Sequence, residues 1–424
     1  MLDIKYIREN QELIAQGARD KRISVELSRL LQLDEQIRSK QTELETLQAE
    51  RNRLSKTIGQ ASSPTEREAL KEQVASFKPR MEELQQELKG WQDEFQLLML
   101  KVPTPARSDV PVGKDDSENV EVRTWGKKPE FDFPIRDHME LGQMHQLIDI
   151  PRGVKLAGSR SYILRGDGAR LEAAVLQLTL DHLNAKGYTQ LSVPVLVKED
   201  CMVGTGYFPN GRDQAYLVER DELTLIGTSE VSIASMHSDE FLDEADLPLR
   251  YMAQSSCFRR EAGTHGKDTK GLYRVHQFQK VEQVIISKAC EQDSESLHNE
   301  LLTNAEELMQ KLELPYRVVY VCTGDLGQGQ VRKHDIETWM PSRQSYSETH
   351  SCSTFYDFQA RRLKIRYRSK DDKQDKKFCF TLNNTAIATP RVLIPLLETH
   401  QQKDGRIRIP KALQPYMQNR EYIG

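Results

Sequence analysis

The segment CFRREAGTHGKDTKGLYRVHQFQKVEQ, residues 257–283, carries charged side chains on two runs that read as the strands of a β-hairpin. Alternate residues of an extended strand share a face, so Arg259 and Glu261 are predicted to point one way and Arg260 the other. A guanidinium binds phosphate or carboxylate in a two-pronged manner, and a carboxylate accepts hydrogen bonds from an amine. The first strand therefore carries groups that suit a charged substrate.

The returning strand places Phe278, Lys280 and Glu282 on one face. An aromatic ring there could stack on a base, beside the carboxylate and guanidinium of the first strand. Two interpretations stay open at this point: a ligand-binding surface, or cross-strand ion pairing on an exposed sheet. The connecting segment GTHGKDT, residues 263–269, does not match the phosphate-loop pattern and is interpreted as a mobile connection.

Two further segments carry oxygen ligands. IGTSEV, residues 226–231, is predicted to place Thr228 and Glu230 on one strand face. SETHSCSTFYDFQARR, residues 347–362, contains Glu348 and Ser351, a carboxylate and a hydroxyl that suit Mg²⁺ held between phosphate oxygens.

An arginine is predicted at a helix start in TLNNTAIATPRVLIPLLE, residues 381–398. The chain would leave a strand, pass Pro390 and place Arg391 in the first turn of a helix. A helix N-terminus favours anions, and an arginine adds positive charge to it.

The composition excludes several classes of protein. The chain has 424 residues, enough for two or three domains, and a net charge of −4, so a nucleic-acid partner would need a local basic patch. The six cysteines form no C-x-x-C pair, which argues against a zinc ribbon or a disulfide scaffold. No signal region or membrane-length apolar run is present. We expect a soluble, cytoplasmic protein with no membrane partner.

Residues 27–102 carry the apolar repeat of a coiled coil. Seven of nine a and d positions are apolar between residues 30 and 58, and all nine are apolar between residues 70 and 98. The turn GQASSPTE, residues 59–66, with Thr65 as a possible cap, would fold the helices into an antiparallel hairpin about 45–50 Å long. Pro79 conflicts with the second helix, because proline removes a backbone hydrogen bond.

The tip of this hairpin is basic, with Arg51, Arg53 and Lys56 close together. A basic tip on a projecting rod could contact phosphate. The alternative is a dimerisation or spacer element with an ordinary solvated surface.

A linker is predicted at residues 103–120, where Pro, Ser and Asp are frequent, and residues 121–424 mix short elements. Residues 168–186 read as an amphipathic helix, and a strand containing Pro194 follows, at an edge or a bulge. Further strands are predicted at 251–259, 275–286, 316–322, 362–369 and 377–382, and helices at 294–313 and after residue 390. Strand-rich runs with helices set apart predict an α+β fold with a mostly antiparallel sheet flanked by helices.

Taken in order, these segments resemble the seryl-tRNA synthetase family of bacterial and organellar type, a class II aminoacyl-tRNA synthetase family. The first signature is the helix and strand ending in Pro194, the second is FRREAG…TKGLYRVHQFQKVE, and the third is the strand and helix with Arg391. The segment ETHSCS…DFQARR is the most family-specific, and the N-terminal hairpin resembles the family's tRNA-binding arm. The resemblance spans the whole chain and implies a tRNA-binding domain at 1–102 and a class II catalytic domain at 121–424.

The resemblance also implies a role for individual residues. The implied ATP-binding residues are Arg259, Arg260, Glu261, Val275, Phe278, Glu348, Thr349, His350, Ser351 and Arg391. The implied serine-binding residues are Thr228, Ser229, Glu230, Arg259, Glu282 and Thr385. The catalytic pair would be Arg259 on the α-phosphate and Arg391 on the γ-phosphate, Glu348 and Ser351 would ligate Mg²⁺, and Arg51, Arg53 and Lys56 would contact tRNA. Arg260 is the exception by strand parity, which turns it away from the substrate face.

The implied activity is that of a serine–tRNA ligase, which activates L-serine with ATP and transfers it to tRNA(Ser), with charging of tRNA(Sec) left open. A homodimer formed through the helix at 168–186 is implied as well. One alternative is an adenylate-forming relative that loads a carrier protein, but such relatives lack a long helical arm. Another is a coiled-coil scaffold with a degenerate catalytic domain, which would require losses among Arg259, Glu261, Glu348 and Arg391. The third signature departs from the common GSGLAVGR as NTAIATPR, although Thr385 keeps a hydroxyl.

Overall fold

The computed structural model of the chain describes residues 1–263, 271–368 and 376–424. These residues form two compact units, Met1–Pro105 and Ala106–Gly424. The mobile connection predicted at 263–269 lies, apart from Gly263, outside the described residues. No helix within the described ranges is long and apolar enough to cross a bilayer.

The first unit is helical. Its helices are α1 (Ile4–Glu9), α2 (Gln11–Asp20), α3 (Leu27–Ile58) and α4 (Pro64–Lys101). Helices α3 and α4 run antiparallel, since Arg29 pairs with Glu94 and Glu43 pairs with Arg80, each at 2.6 Å. The predicted two-helix coiled coil is confirmed.

The apolar seam between α3 and α4 contains two buried clusters. One consists of Leu44, Met81, Leu84 and Leu88, and the other, where α1 and α2 also pack, includes Leu30, Leu33, Leu98 and Met99. The second cluster lies at the base of the hairpin and the first in its middle, and the partly buried Ile37 packs against both.

Helix α4 is capped by Ser63, so the prediction of Thr65 as the cap is wrong. The Ser63 hydroxyl accepts from the Glu66 amide at 3.2 Å, and Pro64 occupies the first helical position. Proline fits there because the first amides of a helix have no intrahelical partner. Helix α4 continues through Pro79, whose side chain is exposed.

The second unit combines strands and helices. Its strands are β1 (Val120–Trp125), β2 (Ile148–Asp149), β3 (Ile163–Leu164), β4 (Thr189–Leu191), β5 (Leu196–Lys198), β6 (Tyr216–Val218), β7 (Leu223–Leu225), β8 (Phe241–Asp243), β9 (Leu249–Phe258), β10 (Gln277–Ser287), β11 (Tyr316–Tyr320), β12 (Arg332–Met340), β13 (Ser345–Tyr356), β14 (Arg366–Arg368), β15 (Lys376–Phe378), β16 (Phe380–Thr389), β17 (Ile407–Arg408) and β18 (Tyr422–Ile423). Its helices are α5 (His138–Met144), α6 (Ile150–Ala157), α7 (Asp167–Ala185), α8 (Glu199–Thr205), α9 (Glu230–Ser235), α10 (Glu291–Lys311), α11 (Phe358–Leu363) and α12 (Leu393–Thr399).

An eight-stranded sheet organises this unit, in the spatial order β1-β11-β12-β13-β16-β10-β9-β4. Every neighbouring pair is antiparallel except β4 and β9, which are parallel. Helices α7, α10 and α12 contribute to one large core with the central strands. The predicted α+β fold, with a mostly antiparallel sheet flanked by helices, is confirmed.

Several predicted elements differ in detail. Pro194 lies between β4 and β5 and belongs to neither strand, because a proline cannot donate to a ladder. Strands β12 and β13 were not predicted, since both carry polar residues that are nevertheless buried, such as Asp335 and His350. The apolar face of α7 packs in the core of its own unit.

The stretch predicted as a linker makes specific contacts with the second unit beyond residue 105. The Arg107 amide donates to the Val331 carbonyl at 3.0 Å, and the Thr323 amide donates to the Pro111 carbonyl at 2.9 Å. The boundaries 1–102, 103–120 and 121–424 stay a prediction.

Candidate active site

A cleft on the large sheet brings most of the predicted ligand residues together. It is lined by Glu230, Arg259, Glu261, Val275, Phe278, Glu282, Glu348, Thr349, Ser351, Thr385 and Arg391, and also by Tyr207, Tyr273, Arg274 and Lys280. Strands β10, β13 and β16 supply its floor, and the segments after β9 and before α12 supply its charged walls.

A β-bulge aligns the two oxygen ligands of β13. Glu348 and Ser351 are three residues apart, and residues at that spacing point to opposite faces of a regular strand. The register between β12 and β13 shifts by one residue between Glu348 and His350, so Thr349 is an extra residue. Both ligands consequently face the cleft.

A second bulge lies in β16. Glu282 of β10 pairs with Thr385, whereas Val281 pairs with Ile387, which leaves Ala386 as the extra residue. The Thr385 hydroxyl lies 3.5 Å from a Glu282 carboxylate oxygen. The shift thus places a hydroxyl beside a buried carboxylate at the floor of the cleft.

Glu230 lines the cleft and is 4% exposed. Its carboxylate accepts from the Tyr207 hydroxyl at 2.9 Å and from the Gln359 amide at 2.6 Å. Burial, and then the nearby Glu282 carboxylate, raise the pKa of Glu230. A cation bound beside it would relieve both effects.

Lys280 supplies the positive charge between these carboxylates. Its ammonium forms an ion pair with Glu282 and donates to the Thr228 hydroxyl at 2.7 Å. All of these side chains are buried. Among Glu230, Glu282 and Lys280 there is one more negative than positive charge, and a ligand ammonium bound beside Glu230 would balance it.

Thr228 and Glu230 do not lie on a strand, and the prediction of a shared strand face is wrong. Strand β7 ends at Leu225, and Glu230 is the first residue of α9. The Ser229 hydroxyl between them donates to the Ala253 carbonyl at 3.3 Å and does not line the cleft. A turn of the chain, and not the alternation of a strand, therefore sets the directions in which the side chains of Thr228, Ser229 and Glu230 point.

Arg259 and Glu261 line the cleft although β9 ends before them, at Phe258. Glu261 has a φ of +52°, so the extended geometry behind the parity argument does not hold here. The Arg259 guanidinium lies 5.2 Å from the centre of the Phe278 ring. Arg260 points elsewhere and donates to the Asp213 carbonyl at 3.4 Å.

Arg391 lies before α12 and not in its first turn, so that prediction is wrong. The helix begins at Leu393. The Arg391 guanidinium donates to the Tyr273 carbonyl through Nε at 3.2 Å and Nη2 at 3.1 Å, and to the Glu348 carbonyl through Nη1 at 3.0 Å. Backbone carbonyls, rather than a helix end, thus orient this cation.

The Glu348 carboxylate remains available for a ligand. Partial removal of water from the carboxyl by itself raises its pKa, but the positive charges of Lys333, Arg391 and Arg259 outweigh that effect and hold the pKa below its ordinary value. The side chain is exposed to the cleft and forms no hydrogen bond or ion pair within the described ranges. An ionised carboxylate and the Ser351 hydroxyl, which also lines the cleft, are oxygen ligands of the kind that fits Mg²⁺.

These two residues cannot complete a metal site alone. Among the described residues, no group of three His, Cys, Asp or Glu side chains could hold a metal ion. The neighbouring Asp335 carboxylate is paired with Lys333 at 2.9 Å. A cation at Glu348 and Ser351 would therefore take its remaining ligands from a bound phosphate-bearing molecule.

His350 does not reach the cleft. It is 1% exposed, its Nδ1 lies 2.8 Å from the Thr349 hydroxyl, and burial lowers its pKa to about 4. It follows the bulge residue and packs on the opposite side of β13.

Comparison with known proteins identifies the family. Residues 1–105 match the seryl-tRNA synthetase N-terminal domain, and residues 216–400 match the tRNA synthetase class II core domain (G, H, P, S and T). The serine–tRNA ligase of Deinococcus radiodurans is 45% identical over 424 residues, covering 100% of this chain and 99% of that protein. The chain belongs to the seryl-tRNA synthetase family.

Solved structures of the family agree along the full length. Seryl-tRNA synthetase from Pyrococcus horikoshii, crystallised with ATP, is 38% identical with a TM-score of 0.91, covering 100% of this chain and 99% of that one. The cytoplasmic serine-tRNA ligase from Naegleria fowleri, in complex with AMP, is 31% identical with a TM-score of 0.88, covering 100% and 98%.

Three side chains that support Glu230 and Glu282 were not predicted as part of a site. Tyr207 and Gln359 hold Glu230, and Lys280, noted only for its charge, holds Glu282 and Thr228. Neither Tyr207 nor Gln359 has a sequence signal, since each reaches Glu230 across the fold. The position of Lys280 two residues before Glu282 on one strand was the only usable signal.

Proposed function

We propose that this chain is a serine–tRNA ligase. It would activate L-serine with ATP, release pyrophosphate and transfer the seryl group to the 3′-terminal adenosine of tRNA(Ser). The observation that carries the proposal is a pocket lined by two buried carboxylates, Glu230 and Glu282, with one buried ammonium, Lys280, which is ion-paired with Glu282, and with the Arg259 guanidinium. Such a pocket complements a small zwitterion that carries a hydroxyl.

Each polar group of serine has a partner in this proposal. Glu230, whose charged form is disfavoured by burial, would gain the serine ammonium as its counter-ion. Glu282 and Thr385, 3.5 Å apart, would bind the hydroxyl. Arg259 would face the serine carboxylate. Thr228 would act through Lys280, because its hydroxyl is already bonded to that ammonium.

The nucleotide would occupy the other part of the cleft. Phe278 would stack on adenine, Glu261 would accept from the adenine amino group, and Val275 would contact the nucleotide. Arg259 would bind the α-phosphate and Arg391 the γ-phosphate. The Glu261 carboxylate is held by Arg274 at 3.3 Å, which fixes its direction before the base arrives.

In the first step, a serine carboxylate oxygen attacks the α-phosphorus while the bond to the β-phosphate oxygen breaks. Glu348 and Ser351 would hold Mg²⁺, which neutralises charge on the phosphate oxygens when bound. Arg259 and Arg391 stabilise the charge that develops on the transferred and leaving groups. No protein nucleophile is needed. In the second step, the adenosine 3′-hydroxyl attacks the seryl carbonyl, loses its proton and displaces AMP.

Selectivity against alanine would follow from the buried hydroxyl partners. A pocket whose polar groups are left unpaired by the wrong substrate rejects it by roughly 10⁴–10⁵. Glu282 is 2% exposed, so water cannot freely replace the missing hydroxyl. The same argument predicts little activity with any amino acid that lacks a hydroxyl at this position.

The remaining partners belong to the same proposal. The coiled coil of α3 and α4 would bind tRNA, with Arg51, Arg53 and Lys56 near its tip. The chain would act as a homodimer in the cytoplasm. Light scattering on the purified chain tests the dimer directly.

An activity assay tests the proposal. ATP–pyrophosphate exchange is measured with serine, threonine, alanine and cysteine in turn, followed by charging of bulk tRNA with the amino acid that is activated. We expect exchange with serine and seryl-tRNA as the product. Serine activation without charging would favour a carrier-protein ligase, and no activation of any amino acid would favour a scaffold.

A further inference from the structure

A buried histidine outside the ligand-binding residues contacts the segment that enters β10. His138 is the first residue of α5 and is 4% exposed. Its backbone amide and its ring Nδ1 both lie 2.9 Å from Oε1 of Glu398, a fully buried residue of α12. The histidine is therefore anchored to the helix that follows Arg391.

Glu398 is satisfied by further donors. The Ser342 amide donates to its Oε2 at 3.0 Å and the Ser342 hydroxyl to its Oε1 at 3.0 Å. Counting the two bonds from His138, four donors converge on one carboxylate. The polar atoms of this fully buried side chain are therefore satisfied by hydrogen bonds.

The other ring nitrogen identifies the tautomer. The Leu272 amide donates to His138 Nε2 at 3.4 Å, so Nε2 carries no proton and Nδ1 donates to Glu398. A β-carbon at Gly271 would overlap the His138 ring, and Gly271 has a φ of +75°, which favours glycine. The backbone at residues 271–272 is therefore in direct contact with the His138 ring.

The next residue, Tyr273, is where the contacts converge. Its carbonyl oxygen accepts one hydrogen bond from Nε and one from Nη2 of Arg391. Its ring meets the His138 ring edge-on at 5.5 Å, and the Arg343 guanidinium lies 3.3 Å from its centre. The direction of the Arg391 guanidinium therefore depends on where this peptide is held.

We propose that His138 is a positioning residue for ATP binding. Its unprotonated Nε2 holds the Leu272 amide, which fixes the Tyr273 carbonyl and, through it, the Arg391 guanidinium. The inference rests on the proposed function, because Arg391 is assigned there to the γ-phosphate. Small displacements of a positioning group cost large factors in rate or affinity.

Two substitutions separate the two ring nitrogens. In His138→Asn, the side-chain amide replaces Nδ1 and can still donate to Glu398, but no acceptor remains for the Leu272 amide. In His138→Gln, the side-chain oxygen replaces Nε2 and keeps that acceptor, while the side-chain bond to Glu398 is lost and only the backbone one remains. The pair therefore tests whether the Leu272 contact or the Glu398 contact matters for ATP.

The measurement is serine-dependent exchange with ATP and serine varied separately, together with ATP binding by calorimetry in the absence of serine. For His138→Asn we expect a rise of roughly ten-fold in KM for ATP and in the calorimetric Kd, with KM for serine within about two-fold of the wild type. For His138→Gln we expect both ATP constants within about three-fold of the wild type. Thermal unfolding of each variant reports on folding separately.

A purely structural role predicts the reverse order, with His138→Gln the more damaged variant, and that order would overturn the inference. Unchanged ATP constants in folded His138→Asn would overturn it as well. If His138→Asn does not fold, His138→Gln carries the test, since a ten-fold loss of ATP affinity in that variant contradicts the proposal. A wild-type chain without serine-dependent exchange would instead refute the proposed function, while calorimetry would still test the ATP contact.

Discussion

The helical arm and the catalytic unit use charge in opposite ways. In the arm, the Arg80 and Glu43 side chains pair at 2.6 Å but remain 40% and 38% exposed. In the cleft, Lys280 and Glu282 form an ion pair at 6% and 3% exposure. Exposed pairs are solvated and contribute little, whereas removing one partner of a buried pair strands a charge. Equal numbers of charged residues in a sequence can therefore mean solubility in one region and binding in another.

The largest expected effect comes from Glu282→Ala, which removes the buried partner of Lys280. We expect serine-dependent exchange to fall by roughly 10⁴, because Glu282 is the proposed partner of the serine hydroxyl. The free energy of unfolding should fall by about 3–5 kcal/mol, because the buried Lys280 ammonium loses the carboxylate with which it forms its ion pair. Exchange kinetics and chemical denaturation measure the two effects.

The matched control is Glu43→Ala in the arm. The Glu43 carboxylate pairs with Arg80, but this pair is exposed to solvent. The rate of exchange and the unfolding transition should therefore both match the wild type. Comparable losses in the two variants would contradict the contrast between the regions.

Shortening the arm should separate the two half-reactions. Residues 42–81 are replaced by a short glycine-serine turn, which joins α3 and α4 at positions that already face each other and keeps the cluster around Leu30 and Leu98. We expect tRNA charging to fall on the order of 10³, because the proposed contacts of the arm with tRNA phosphates would be lost, and exchange to stay within about two-fold. An equal fall in both activities would show that the arm is not the tRNA element.

Acid should destabilise the catalytic unit before the arm. Burial, with nearby Arg332, lowers the pKa of His334 to about 3, and burial lowers the pKa of His350 to about 4. Because these values lie below the ordinary 6.5, the stabilising effect is complete above pH 6.5 and is lost as the pH falls towards 4. Each histidine should cost about 1.4 kcal/mol of unfolding free energy per pH unit in that window.

Residues 1–105 contain no histidine, and the buried Lys21, whose pKa burial lowers to about 7, is protonated in both the folded and the unfolded state below that pH, so this unit should lose little stability from pH 7 to pH 5. Hydrogen exchange read by mass spectrometry at the two pH values reports on each unit separately. Loss of protection in α3 and α4 together with the sheet would contradict this prediction.

The smallest expected effect is at the tip of the arm. Arg53 is 74% exposed and lies 3.5 Å from Glu50. Substituting Arg53 and Lys56 by Gln should raise KM for tRNA a few-fold and reduce the salt dependence of charging by about one unit per lost phosphate contact. Glu50→Gln is the control and should not weaken charging. An unchanged salt slope would remove Arg53 and Lys56 from the interface.

The sequence predicted the arm better than the cleft, and the reason is regularity. The seam residues of α4, such as Leu84 and Leu88, follow one heptad repeat along the helix, so residue spacing alone predicts which side chains are buried. The cleft depends on residues that depart from the regular two-residue alternation of a strand. Thr349 and Ala386 each interrupt strand alternation, and Thr228 and Glu230 lie on a turn where a strand was predicted.

Some parts of the site had no local signal at all. Glu398 and His138 are 260 residues apart, and Tyr207 and Glu230 are brought together only by folding. Strand alternation predicts that Arg260 points away from Arg259 and Glu261, but β9 ends at Phe258, so these three residues are not part of a strand. Residue types indicated the chemistry, but the contacts required the fold.

The two bulges also bear on which mutations the cleft can survive. Each bulge shifts the alternation of its strand by one residue. The side chains that face the cleft before the bulge and those that face it after the bulge therefore do not follow one continuous two-residue repeat. Losing one residue at Thr349 or Ala386 would leave charge and composition almost unchanged, yet it would turn the residues on one side of the deletion away from the cleft. Substitutions at these positions should be far better tolerated than single-residue deletions.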